Sequence, residues 1–300
     1  MLRTAALAGV LALALGPDSG PHSSPSAAQP RRVNLEAADC SRINQMFGDY
    51  EVARAEQHAS VPAGTATLEI RPDANGGVRI ERGSGSTYEI TACVAAGGRT
   101  VAEAQAAVDT VRIAIDGNRV RLTGGPDNAS RVRTWSAQLI VMAPDGASID
   151  AETTNGPIGI SDVNGTFNLR ASNGPIALRD VAGQVKARAS NGPISVEGSR
   201  GEFDVETANG PINVELAGTR WDGHLTARAS NGPLGVSVPS NFQSGVQISS
   251  SYQSPWSCRA AACRGGNRDW DDRSRTLQIG SDPIVVRLST VHGPVTIRER

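Results

Sequence analysis

Asn155-Gly156-Pro157-Ile158 returns as Asn173-Gly174-Pro175-Ile176, as Asn191-Gly192-Pro193-Ile194 and as Asn209-Gly210-Pro211-Ile212, then as Asn231-Gly232-Pro233-Leu234. The first four copies lie 18 residues apart and the fifth follows after 22. A variant, His292-Gly293-Pro294-Val295, closes the series after a long insertion. Self-similarity at so short a period marks an architecture in which each unit stacks on the next. The sequence therefore predicts an all-β chain in which residues 151–300 form a parallel β-helix or β-solenoid with rungs of roughly 18 residues.

Period-2 alternation assigns the faces within each repeat. After Gly-Pro, the positions expected to point inward are Ile158 and Ile160, Ile176 and Leu178, Ile194 and Val196, Ile212 and Val214. The second strand contributes Phe167, Leu169 and Ala171, then Val185, Ala187 and Ala189, then Phe203, Val205 and Thr207, later Leu225, Ala227 and Ala229. Gly165, Gly183, Gly201 and Gly223 supply the bend before it. At the other corner, stacking superposes Asn155, Asn173, Asn191, Asn209 and Asn231, whose amides can bond to one another and pin the register. The glycine that follows tolerates positive φ, and the proline presets the next strand without needing a donor.

Residues 50–150 predict a β-rich N-terminal region. Val111–Asp116 and Arg119–Thr123 flank Gly117-Asn118, a hairpin signal. Pro144-Asp145-Gly146 is a turn. Thr100 and Glu103 form a capping box ahead of one helix, about residues 100–111, with Val101, Ala104, Val108 and Val111 on one face. This helix is expected to cover an open edge or end of the sheet.

Composition agrees with a narrow core: aromatics are only 4%, and aliphatic residues carry the apolar content. The net charge of −1 supplies no basic field for nucleic acid. Lys186 is the only lysine. Arg3 followed by the apolar run Ala5–Leu15 reads as a secretory signal, too short to span a bilayer. Ser26-Ala27-Ala28 predicts cleavage that removes residues 1–28, leaving no transmembrane segment and an exported protein of the periplasm or cell surface. Residues 29–49 are expected to be disordered or loosely ordered. In that compartment the four cysteines favour disulfides. The short separation of Cys258 and Cys263 predicts a local staple, leaving Cys40 with Cys93. No zinc-like spacing accompanies them, so no metal and no other cofactor is expected.

Three places are candidates for binding. The insertion, about residues 239–283, holds Trp256 and Trp270, which either stack on sugar rings or pack the loop onto the rungs. Arg170, Arg188 and Arg228 recur at one outward strand position, with Glu206 between Arg188 and Arg228. These guanidiniums either read an acidic polymer or form a solvated, self-paired face. The corner asparagines are a structural ladder first and a ligand surface second. Asp269, Asp271 and Asp272 lack the spacing and glycine of a calcium loop.

The Asn-Gly-Pro-Ile corners, Trp221-Asp222-Gly223-His224-Leu225-Thr226-Ala227-Arg228, the Val238-Pro239 exit and the closing Thr290-Val291-His292-Gly293 together resemble a bacterial family of "putative adhesins", exported β-strand-repeat domains of unknown function. The resemblance covers roughly residues 60–300. It implies an adhesion or binding scaffold for a glycan, cell-wall or protein partner, and it transfers no catalytic residue. Two other functions stay open: a carbohydrate-active lyase or hydrolase, for which only Glu197 and Glu215 stack as a carboxylate pair, and a periplasmic partner or sensor module. His292 departs from the corner pattern, as expected of a terminal rung with no ladder partner above it.

Overall fold

The computed structural model describes residue 40 and residues 47–64, 66–72, 76–125 and 134–300. The expected signal peptide, residues 1–28, and most of residues 29–49 lie outside the described residues. The first strands are β1 (Glu51–Pro62), β2 (Leu68–Arg71), β3 (Gly76–Arg82) and β4 (Thr87–Gly98). Helix α1 (Val101–Val108) precedes β5 (Arg112–Asp116), β6 (Arg119–Thr123) and β7 (Thr134–Ala143). The repeats supply strands in pairs: β8 (Ala147–Thr153) with β9 (Ile158–Ser161), β10 (Asn164–Ala171) with β11 (Ile176–Arg179), and β12 (Ala182–Asn191) with β13 (Ile194–Gly198). They continue as β14 (Arg200–Asn209) with β15 (Ile212–Leu216), and β16 (Asp222–Asn231) with β17 (Leu234–Val238). The insertion contains β18 (Gly245–Ser251), β19 (Trp256–Cys258), β20 (Asn267–Trp270) and β21 (Ser274–Ile279); β22 (Ile284–His292) and β23 (Val295–Glu299) end the chain.

These strands form two large mixed sheets. One has 11 strands in the order β1-β4-β7-β3-β9-β11-β13-β15-β17-β23-β19, the other 12 in the order β20-β21-β18-β22-β16-β14-β12-β10-β8-β2-β6-β5. From β8 to β17, each repeat pairs with the next in parallel in both sheets at one-repeat offset, Phe167 with Val185 and Ile176 with Ile194. All the positions assigned inward by alternation are buried, and both sheets contribute to one continuous hydrophobic cluster. Small aliphatic side chains suffice because two strands per repeat leave little interior to fill.

Order in space departs from order in sequence at both ends. The pair β6/β7 lies outside β2/β3, and the closing pair β22/β23 sits between β16/β17 and the insertion strands β18/β19. The insertion is therefore no loose corner loop. It carries the sheets one layer beyond the last repeat, and β21 and β20 then extend one sheet antiparallel. β1 with β4, and β5 with β6, make the corresponding antiparallel ends at the other extreme. This corrects the expectation for His292. Its strand is covered by β18, and Ser254-Pro255-Trp256 falls in register over Gly293-Pro294-Val295. At the opposite end Gly76-Gly77-Val78 stacks in the same way on Gly156-Pro157-Ile158.

Helix α1 packs on β1 and β4. Thr100 accepts from the Glu103 N–H, while the Glu103 carboxylate accepts from Arg99 N rather than from the cap residue. The buried helix residues are Ala104, Ala107 and Val108; Val101, read on the same face, is exposed.

Candidate functional site

The asparagine corner is a continuous exposed ladder. Asn173 Nδ2 donates to Asn155 Oδ1 at 3.0 Å, and Asn191 to Asn173, Asn209 to Asn191 and Asn231 to Asn209 do the same at 3.1 Å. Asn209 and Asn231 also donate to the backbone carbonyls of Ser190 and Ala208. At Asn209 and Asn231 both amide hydrogens are thereby committed, and at Asn173 and Asn191 one of the two is held by the ladder. The neighbouring glycines are required for a different reason from the one expected. Gly156, Gly174, Gly192 and Gly232 have no positive φ, yet a β-carbon on any of them would collide with the carbonyl oxygen of the glycine one layer away. Left-handed φ belongs instead to the second-strand column, at Gly183, Gly201 and Gly223, which lie inside their strands, while the corner's Gly210, at φ 158°, is close to extended. Buried Thr207 and Thr290 donate to corner carbonyls, Gly192 O at 2.9 Å and Gly232 O at 2.7 Å, so the core side of this corner is also satisfied.

The arginine row is assembled as the alternation implies: Arg170, Arg188, Glu206 and Arg228 occupy successive registered positions. Two residues earlier on the same outward face stand Asp150 and Asp204, which the sequence reading did not single out. Asp150 meets Arg71 and, at 3.2 Å, Arg170. Asp204 meets Arg188 at 2.6 Å and Arg228 at 3.0 Å, while Arg188 also reaches Glu206 at 3.3 Å. Burial alone would raise the Asp150 carboxyl, but hydrogen bonds from Arg71 and Asn168, with the charges of Arg71 and Arg170, hold it below its ordinary value. At Asp204 burial is likewise outweighed by the hydrogen bonds and charges of Arg188 and Arg228. Each of the three arginines thus already has an internal carboxylate. Glu197 and Glu215 are registered neighbours, and Arg300 pairs with Glu197 at 2.8 Å.

The remaining candidates meet at the end of the sheets where the insertion lies. Trp256 packs against the core and donates to Ser250 Oγ at 2.7 Å. Trp270, on edge strand β20, is 51% exposed, with its rings 6.0 Å from those of Trp256 and inclined by 51°. The Arg275 and Arg268 guanidiniums lie 5.1 and 6.0 Å from the Trp270 ring centre. Arg275 Nη1 donates to Ser254 O at 3.0 Å and Arg268 Nη2 to Cys263 O at 3.1 Å. Cys263 is disulfide-bonded to Cys258, with Cα atoms 6.4 Å apart, and Cys40 to Cys93 at 5.3 Å. Asp271 organises the turn below Trp270, accepting from the Ser274 and Arg273 N–H groups, which hold its carboxyl below the ordinary value. Among the described residues no group of His, Cys, Asp and Glu is arranged to hold a metal ion. No described helix is long and apolar enough to cross a membrane.

No family model matches the chain, and no curated protein matches it. Solved structures do. A "putative adhesin" from Bacteroides fragilis is similar at 11% identity and a TM-score of 0.38, over 83% of this chain and 97% of that one. A "putative cell adhesion protein" from Clostridium sporogenes is similar at 11% identity and 0.32, over 83% and 100%. A "putative lipid binding protein" from Parabacteroides distasonis is similar at 13% identity and 0.28, over 82% and 96%.

Proposed function

We propose that this protein is an exported, non-catalytic binding scaffold: a parallel β-solenoid whose ligand, a glycan of the cell wall or cell surface, docks at the end formed by residues 245–279. The in-register parallel pairing of β8 to β17 in both sheets supports the solenoid. The observation that carries the binding site is the half-exposed Trp270 ring, supported by Trp256 on a disulfide-stapled end. An indole held rigidly at the surface offers a flat apolar platform to the C–H face of a pyranose at low entropic cost. The long flank offers less, because its arginines are internally paired and its asparagines bond to one another.

Co-sedimentation of the mature protein with insoluble cell-wall polymers and a panel of soluble glycans tests this. Wild type is expected to bind, and Trp270→Ala to abolish binding while leaving the melting temperature nearly unchanged. Binding that survives Trp270→Ala, or no glycan binding at all, removes this site from consideration.

A further inference from the structure

We propose that the same end selects acidic glycans, with a uronic acid ring on Trp270 and its carboxylate held by Arg268 and Arg275; the proposal rests on the glycan-binding reading above. Along the flank, arginines come with carboxylates: Arg71, Arg170, Arg188 and Arg228 all pair with Asp150 or Asp204. At this end Arg268 and Arg275 do not. Among the described residues no carboxylate pairs with Arg268 or Arg275. Residues 255–275 contain Arg259, Arg264, Arg268, Arg273 and Arg275 against Asp269, Asp271 and Asp272, a local excess of positive charge in a chain whose net charge is −1.

The two guanidiniums are also aimed. β20 and β21 pair antiparallel with Trp270 opposite Arg275, and Arg268 stands two residues from Trp270 on the same strand face. One N–H of each is fixed on a backbone carbonyl, Ser254 O or Cys263 O, so both heads are oriented before any ligand arrives. A guanidinium has five N–H donors, and the remaining ones suit a planar carboxylate. Both guanidiniums stand over the Trp270 ring, so a sugar set against the exposed part of the indole brings its carboxylate to them. One indole and two guanidiniums span a single sugar residue.

The test measures binding to polygalacturonate, to its fully methyl-esterified form and to single-stranded DNA, at low and high salt. Wild type should prefer polygalacturonate over the ester by roughly tenfold, and salt should erase that preference. Arg268→Gln with Arg275→Gln should remove the preference. Because those arginines also hold loop carbonyls, Arg268→Lys with Arg275→Lys is the companion variant: it keeps the charge, loses the fork, and should bind at an intermediate level. Equal binding of acid and ester by wild type overturns this proposal while leaving glycan binding at Trp270 standing. Tighter binding of DNA than of polygalacturonate overturns it as well. Absence of binding to every glycan overturns both.

Discussion

Gly192 stacks on Gly174 so closely that a β-carbon on Gly192 would collide with the Gly174 carbonyl oxygen. The obstacle is backbone on a neighbouring layer, which cannot rotate away as a side chain tip can. Gly192→Ala should therefore destabilise by about 3 kcal/mol or more, within the range of severe overpacking. Gly64→Ala, where nothing lies within 4 Å, should change stability little. Chemical denaturation of both variants checks this, and similar midpoints would show that the layers separate freely.

The asparagine ladder makes a graded prediction. Asn191 donates to Asn173 and accepts from Asn209, whereas Asn231 donates to Asn209 and no ladder amide donates to it. Asn191→Ala should cost about 1–3 kcal/mol and Asn231→Ala less, because the first breaks two amide–amide links in the middle of the ladder and the second breaks only the last one. Equal, near-zero losses in urea titration would reduce the ladder to decoration.

How far the sequence was legible follows from which signals repeat. Asn-Gly-Pro-Ile at fixed spacing exposed the parallel stacking and the buried faces directly, since period 2 leaves each strand one way to turn. Two further corners went unread because they are degenerate: Gly76-Gly77-Val78 lacks the proline, and Ser254-Pro255-Trp256 lacks the glycine. The exchange of β22/β23 with β18/β19 was invisible for another reason. Periodicity says which residues face inward, not which layer settles on which, and that is decided by long-range pairing. Asp150 and Asp204 were within reach. Each lies two residues before an outward Glu, Glu152 or Glu206, and reading the alternation one outward position back along the strand would have set them beside the arginines.

Acid should weaken the fold through those two aspartates. Their carboxyls lie below the ordinary value in the folded chain, so the stability they contribute is fully present above the unfolded pKa, about 4, and is lost as pH falls through the folded values. The melting temperature should be flat from about pH 8 to pH 5 and fall below about pH 4. Asp150→Asn should flatten that limb more than Asp204→Asn, because the Asp150 side chain is 19% exposed and that of Asp204 45%. Calorimetry across this range decides it, and a decline beginning near neutrality would assign the effect elsewhere.

The disulfides make a covalent prediction. A non-reduced proteolytic digest of protein made in an oxidising compartment should yield the Cys40–Cys93 and Cys258–Cys263 peptides, without free thiol. Cys258→Ser with Cys263→Ser should lower global stability by at most about 2 kcal/mol, since so short a loop constrains the unfolded chain little. The same variant should weaken ligand binding more than it weakens the fold, because Cys263 O holds Arg268. A larger loss of stability with ligand binding unchanged would contradict this.

The arginine row completes the set, because it separates the flank from the end. Arg170, Arg188 and Arg228 stand in line, and a row of guanidiniums one strand apart would suit an anionic polymer if the heads were unengaged. They are engaged: Asp150 takes Arg170, and Asp204 takes both Arg188 and Arg228. A polymer carboxylate arriving there must displace an internal one already in place, and the exchange gains little. Changing all three arginines to Ser should therefore leave polygalacturonate affinity within about twofold of wild type. Stability should fall modestly at neutral pH, since half-exposed pairs contribute roughly 0.2–1 kcal/mol each. The Asp204 carboxyl, relieved of both partners, should titrate at higher pH, which NMR of the side-chain carbon reports. If the triple variant instead loses the polymer while its melting temperature holds, the ligand lies along the flank and Trp270 is only the lid of the core.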